Sequence, residues 1–219
     1  MSASRMLAAL ALSIALALPL SAQEQMTVAP APESSPAADF DTSYRPSPSL
    51  SARIQRDFLD TMRWSAGAET RDALATAFAE RAPVEIWQEL VAEQGLATNN
   101  VADALTAYWV LNWITANGAY TAKIDNAPIQ RQLRVAFSQD QTFLNLNDQR
   151  RQQMAENYMF DFLLEHALLN QAIAKRDVDT LNRLAAAAVA RFQRNMGVNL
   201  LSLVPSAEGF RTRVTPVEE

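Results

Sequence analysis

The chain has 219 residues, a formal net charge of −5 at neutral pH and no cysteine. The lack of cysteine excludes disulfides, thiolate metal sites and a cysteine nucleophile. The mildly acidic balance argues against a nucleic-acid-binding surface, which needs clustered Lys and Arg, so no nucleic-acid partner is expected.

Residues 1–22 have the pattern of a cleavable signal peptide. A short basic start ends at Arg5, an apolar run extends from Met6 to Leu18, and small residues follow up to Ala22. This order is typical of secretory signals. The run is shorter than the roughly 20 apolar residues of a membrane span, and no second run follows. The sequence therefore predicts a periplasmic or secreted protein whose mature chain has no transmembrane anchor.

The remainder of the chain divides by composition into three parts. Residues 23–46 are rich in Pro, Ala, Ser and Glu, which predicts a disordered leader because such a segment buries little apolar surface. Residues 47–213 carry apolar residues at helical spacing and form the predicted helical domain. Residues 214–219 are predicted to be a flexible C-terminus.

The helical domain contains several segments with helical periodicity and recognisable ends. Ser47 and Pro48 form a typical helix start, and apolar residues then recur about every four positions up to Trp64. Caps and periodicity predict the other helices in chain order: about Thr70 to Glu80, Pro83 to Gly95, Asn100 to Asn117, Pro128 to Phe137, Asn147 to Lys175, and Val178 to Met196.

The helix from Asn100 to Asn117 is apolar almost all round. A helix without a polar face is typical of a buried position. The segment after Gly197 lacks helical spacing and is expected to lie extended over the bundle. The predicted fold class is all-α: a single-domain bundle of about six helices with a buried central helix and a short extended C-terminal tail.

The most suggestive polar group is in the long helix near the C-terminus. Tyr158, Asp161 and Glu165 fall on one side of it, within about 60° at 100° per residue. Two neighbouring carboxylates could act as general acid and base, because proximity separates their pKa values. They could also hold a divalent cation. The alternative is a structural or solvated role, since buried carboxylates commonly pair with Arg.

His166 is the only histidine, which excludes a multi-histidine metal site. Its place beside Phe162 and Leu169 predicts a packed or half-exposed side chain. The sequence has no G-x-S-x-G elbow and no phosphate-binding glycine loop. We therefore expect no metal and no cofactor, and the balance of features is against an enzyme.

A second candidate is an aromatic cluster on and near the central helix, which could line an apolar or sugar-binding groove. Aromatic residues at helical spacing are more often part of a core. Asn112 lies among them and, if buried, needs hydrogen-bond partners. An inter-helix bond is a more common role for such an amide than a ligand contact. The candidate ligand-binding residues are Trp87, Tyr108, Trp109, Asn112 and Trp113.

Three segments resemble a family of uncharacterised, signal-peptide-bearing proteins of Gram-negative bacteria. They are YRPSP at 44–48, GLATNNVADALTAYWVLNWITANG at 95–118 and GVNLLSLVPSAEGF at 197–210. The resemblance implies a periplasmic or secreted location and a helical fold, and it transfers no site. Its most specific element is the entry to the central helix, with Asn100 and Asp103; helix capping alone accounts for both residues.

Three functions are compatible with this pattern. The first is a non-enzymatic helical domain of the bacterial envelope that binds a protein partner or assembles with itself. The second is a hydrolase or lyase of an envelope polymer, with Asp161 and Glu165 as acid and base and the tryptophans as substrate platform. The third is a carrier of a small apolar ligand inside the bundle, in a cavity lined by Tyr108 and Trp109.

Overall fold

The computed structural model describes residues 36–213, apart from the side chains of Pro36 and Ala66. The predicted signal peptide, the predicted leader up to residue 35 and the predicted flexible C-terminus at 214–219 lie outside the described residues. The described chain is a mostly helical single domain, which confirms the predicted fold class.

Eight α-helices and one β-hairpin form the described part of the chain. Two of the helices, α3 and α6, have fewer than ten residues, so the longer ones account for most of the predicted bundle. The elements are α1 (Pro48–Ala66), α2 (Ala68–Glu80), α3 (Pro83–Leu90), α4 (Val101–Asn117), α5 (Asn126–Gln139), α6 (Gln141–Leu144), α7 (Asp148–Lys175), α8 (Val178–Met196), β1 (Leu203–Ser206) and β2 (Gly209–Thr212).

The ends of α4 show why local sequence fixes the helix boundaries. The Asn100 side chain accepts a hydrogen bond from the Asp103 amide and so caps a free N–H of the first turn. Gly118 ends the helix in the left-handed conformation, which glycine adopts without strain. Both features agree with the prediction for this helix.

Helix α4 is the centre of the bundle. Residues 101–113 are all buried, and the helix packs against α5, α7 and α8. Because neighbours cover it on most sides, an apolar residue is favourable at nearly every position. The prediction of a buried central helix is confirmed. None of the helices within residues 36–213 is long and apolar enough to span a membrane.

Residues 36–46 are ordered, which differs from the prediction of a leader disordered to residue 46. A 3₁₀ helix, Pro36–Asp39, packs against α5. Thr42 and Tyr44 are buried, and the Tyr44 amide donates to the Asn99 carbonyl at 3.0 Å. The Val101 amide donates to the Thr42 carbonyl at 3.1 Å. Composition missed this segment because its order comes from main-chain bonds to residues far along the chain.

The C-terminal tail forms an antiparallel hairpin of β1 and β2. The Gln132 side chain of α5 pairs with the backbone of Phe210, donating to its carbonyl at 2.9 Å and accepting from its amide at 2.8 Å. On the other strand, the Trp113 indole donates to the Leu203 carbonyl at 3.0 Å. The tail does lie over the bundle, as a hairpin held by two side chains of the body.

We expect Gly209→Ala to lower the free energy of unfolding by about 2 kcal/mol. Gly209 has φ of +104°, and a Cβ there would lie 2.8 Å from Cδ of Gln132, so the pair with Phe210 would have to break. Urea denaturation measures the loss. Gly197→Ala is the matched control, because its φ is also positive but no atom lies within 4 Å of a new Cβ. Equal losses in the two variants would contradict the assigned role of Gln132.

Candidate functional site

The carboxylate of Glu165 is paired with a buried arginine from another helix. Arg191 of α8 approaches it at 2.6 Å, and both side chains are only 12% exposed. The Tyr108 hydroxyl of α4 donates a long hydrogen bond of 3.5 Å to the same carboxylate. Glu165 therefore joins three helices, and its charge is already compensated.

Arg191 also satisfies the buried amide of the central helix. It donates to Oδ1 of Asn112 at 2.7 Å, and Nδ2 of Asn112 donates to the Tyr108 carbonyl at 2.8 Å. The guanidinium carbon lies 5.9 Å from the centre of the Tyr108 ring. Asn112 thus has the inter-helix partner that a buried amide needs, and it fixes α8 against α4.

Asp161 lies one turn before Glu165 and is partly exposed. Within residues 36–213 its carboxylate makes no hydrogen bond and no ion pair. Burial, and then the negative charge of Glu165, raise the pKa of Asp161 to about 7, although Arg191 acts to lower it. Burial also raises the pKa of Glu165, whereas the charge of Arg191 and the hydrogen bonds that Glu165 accepts lower it.

Tyr158 completes the group that the sequence places on one side of the long helix. It is buried and stacks on Tyr108, with ring centres 5.6 Å apart. Burial, and then the charge of Asp161, raise its pKa. Tyr158, Asp161 and Glu165, which were predicted to lie together, do lie together. With their neighbours they form a polar group that we call the seam cluster, and its members are Tyr108, Asn112, Tyr158, Asp161, Glu165 and Arg191.

Arg191 is the member of the seam cluster that the sequence analysis missed. A usable signal exists in the periodicity of α8. Leu184, Ala188 and Phe192 form its buried stripe, and Arg191 falls within that stripe at i+7 from Leu184. A charged residue at a core position predicts a buried partner of opposite charge.

The space beside the seam cluster is too small for a ligand. The cavity there has a volume of about 10 Å³, room for one water at most. It is lined by Thr115, Glu165, Leu168, Leu184, Ala187 and Arg191. The arrangement can hold a proton and a water, and it offers no room for a sugar or lipid.

The aromatic candidates for ligand binding belong to the core. Trp87 packs edge-on against Phe162, and Trp109 stacks on Phe210 at 5.6 Å between ring centres. Trp113 and Tyr108 are buried as well. In the described part of the chain these side chains lie inside the bundle and line no surface groove.

His166 and the other possible metal ligands within residues 36–213 form no metal site. The His166 ring stacks on Phe162 at 5.5 Å and contacts the Asn170 side chain, and burial lowers its pKa. It points about 140° away from Asp161 around the helix. Residues 36–213 contain no group of three or more His, Asp or Glu side chains that could hold a metal ion.

The half-buried Asn100 and the buried Asp103 form a second polar group. Oδ1 of Asn100 accepts from the Thr42 hydroxyl at 2.6 Å, which ties the N-terminal segment to α4. The buried Asp103 carboxylate accepts from the Ala97 amide at 2.9 Å and from Gln130 at 3.0 Å. Arg134 lies 3.4 Å from the same carboxylate. These residues fasten the start of α4 to the segments on either side of it.

A third buried polar group, which was not predicted from the sequence, joins the starts of α1 and α7. Gln152 accepts from the Ser47 amide at 2.8 Å and donates to the Ser47 carbonyl at 3.0 Å. Ser51 donates to the buried Glu156 carboxylate at 2.6 Å. The sequence did contain a signal for this group, because a glutamine and a glutamate lie one helical turn apart in an otherwise apolar stripe.

Comparison with known proteins places the chain in a family without assigning a function. No curated protein and no solved structure is similar enough to count as a match. A family model matches residues 1–213 and therefore nearly the whole chain. The chain belongs to this family, a family of unknown function (DUF6683).

Proposed function

We propose that this protein is an exported, non-enzymatic helical domain that works by binding another protein, a second copy of itself being the simplest partner. The observation that carries the proposal is Trp64, whose side chain is 86% exposed near the end of α1. Tryptophan is one of the residues enriched at the energetic centres of protein interfaces. An indole left in water gains free energy when a partner covers it.

The surroundings of Trp64 suit a protein interface. The Arg63 guanidinium lies 6.0 Å from the indole ring, and arginine is also enriched in hot spots. Further back on the exposed side of α1 lie Asp57 and Asp60, without an ion pair to any described residue. An apolar anchor with a polar border is the usual composition of an interface.

The chemistry inside the domain also favours binding over catalysis. A hydrolase or lyase that uses Asp161 and Glu165 needs both to face a cleft, whereas Glu165 is paired with Arg191 beside a cavity for one water. An apolar-ligand carrier needs an internal cavity lined by Tyr108 and Trp109, and neither residue lines that cavity. Both observations favour a binding function over these two alternatives.

Export is the part of the proposal that depends on the sequence alone. Residues 1–22 have the signal-peptide pattern, and the resemblance to exported bacterial proteins supports the same location. N-terminal sequencing of the protein recovered from a periplasmic fraction tests it, with a start near Gln23 expected. A chain that keeps Met6 to Leu18 would contradict export as a free domain.

We expect Trp64→Ala to weaken association of the mature chain at least tenfold and to leave its stability within about 0.5 kcal/mol. Sedimentation equilibrium over a range of concentrations measures self-association. A photoreactive amino acid at position 64 reports a different protein partner in the cell. Leu144→Ala is the matched control, because Leu144 is another exposed apolar residue, on α6.

Two results together would refute the proposed interface. One is a mature chain that stays monomeric at every concentration, and the other is a probe at position 64 that forms no more cross-links than one at position 144. Association that Trp64→Ala and Leu144→Ala weaken equally would also contradict it.

A further inference from the structure

The seam cluster contains more negative than positive charge. Asp161 and Glu165 contribute two carboxylates on successive turns of α7, and Arg191 contributes one guanidinium. Arg191 is within ion-pair distance of Glu165, and no described group pairs with Asp161. With both carboxylates ionised, a poorly solvated site would hold one uncompensated negative charge, which is unfavourable.

The groups that face Asp161 come from three helices. Glu165 and Tyr158 belong to α7 itself, Tyr108 comes from α4, and Arg191 comes from α8. The helices α1 and α3 also pack against α7, and their described residues add no charge that acts on Asp161. Burial keeps both tyrosines neutral, so only one cation opposes the two acids.

We propose that the carboxylate pair of Asp161 and Glu165 holds one proton beside Arg191, and that loss of this proton with rising pH destabilises the folded domain. Residues four apart on a helix are neighbours, and like charges at this spacing repel. The partial exposure of Asp161 gives the proton a route to solvent. This inference goes beyond the proposed binding function and does not depend on it.

The sign of the pH dependence follows from the raised pKa of Asp161. It is about 7 in the folded domain and near the ordinary 3.8 in the unfolded chain. Between these values the folded state holds more protons than the unfolded state. Stability is therefore highest at the acid end of the range, falls as pH rises towards about 7, and levels off above it.

His166 acts in the opposite direction and must be removed from the measurement. Burial lowers its pKa below the ordinary 6.5, so its contribution to stability grows as pH rises up to that value. His166→Gln removes this titration and leaves the seam cluster unchanged. The experiment compares further variants of the full mature chain in this background.

The test is urea unfolding of the mature chain between about pH 5 and pH 8.5. With Asp161 present, the unfolding equilibrium constant should rise with pH below 7, by up to about tenfold per pH unit for one proton. Asp161→Asn should abolish this rise and make the domain more stable than its parent at pH 8. Asp179→Asn, at an exposed acid on α8, should keep the rise.

Glu165→Gln is the second variant, because it leaves Asp161 as the natural partner of Arg191. It too should abolish the rise, although it removes a different carboxylate. The proposal is overturned if stability in the His166→Gln background does not change between about pH 5 and 7, or if the rise persists in both Asp161→Asn and Glu165→Gln.

Discussion

Replacing Arg191 with methionine is expected to lower the free energy of unfolding by about 3 to 5 kcal/mol at pH 8. Arg191 is the cation that opposes both carboxylates of the seam cluster, and it also donates to Asn112. Its removal leaves Glu165 and the amide oxygen of Asn112 without their charged partner, and it takes away the positive charge that acts on Asp161. Such a loss is among the largest that a single substitution produces.

Urea denaturation measures this loss of stability, which should also depend on pH. The loss should be smaller near pH 5, because the freed carboxylates then take up protons. Arg194→Met is the matched control, since Arg194 is exposed on the same helix and should change stability by about 0.5 kcal/mol or less. Similar losses for both variants would mean that Arg191 is not a structural partner.

Asp103→Ala is expected to lower the free energy of unfolding by about 3 kcal/mol. The substitution removes the acceptor for the Ala97 amide, Gln130 and Arg134 at a buried position. The Ala97 amide and Arg134 then lack this acceptor, whereas Gln130 keeps its hydrogen bond to the Gly95 carbonyl. Because two of these donors, Gln130 and Arg134, belong to α5, the start of α4 should separate from α5.

The matched control for Asp103 is Asp125, which caps α5 and, among residues 36–213, accepts a hydrogen bond from the Ala127 amide alone. Asp125→Ala should cost about 1 kcal/mol, the usual value of an exposed cap. Chemical denaturation of both variants distinguishes a helix cap from a buried acceptor that serves several donors. If Asp103→Ala cost no more than Asp125→Ala, capping alone would account for Asp103.

Local features made most helix ends predictable from the sequence. Asn100, Asp125, Asn147 and Asp177 each accept from an amide in the first turn of the helix that follows. Such contacts span two or three residues, so they are visible in the sequence. The all-round apolar pattern of α4 indicated its buried position for the same reason.

Features that depend on distant residues were not predictable in this way. The order of residues 36–46 comes from contacts such as the Thr42–Asn100 hydrogen bond, which spans 58 residues. The C-terminal hairpin is held by the side chain of Gln132, which lies 78 residues before Phe210 in the chain. Its amide group bonds to the backbone of Phe210 as a neighbouring strand would. No local pattern distinguishes Gln132 from an ordinary polar residue on a helix.

The candidate site was likewise predictable only in the part that depends on a single helix. The spacing of Tyr158, Asp161 and Glu165 placed them together, because one helix carries all three. Their environment comes from α4 and α8, so the sequence could not distinguish an acid and base pair from a charge cluster with an arginine. The aromatic candidates are core residues for a similar reason, since helical spacing cannot say whether a neighbouring helix covers them.

A double-mutant cycle between Glu165 and Arg191 tests most directly whether the seam cluster is structural. We expect Glu165→Gln combined with Arg191→Met to recover at least about half of the stability lost in Arg191→Met alone, because removing both partners leaves less uncompensated charge. Losses in the two single variants that simply add in the double variant would contradict a structural pairing of these side chains.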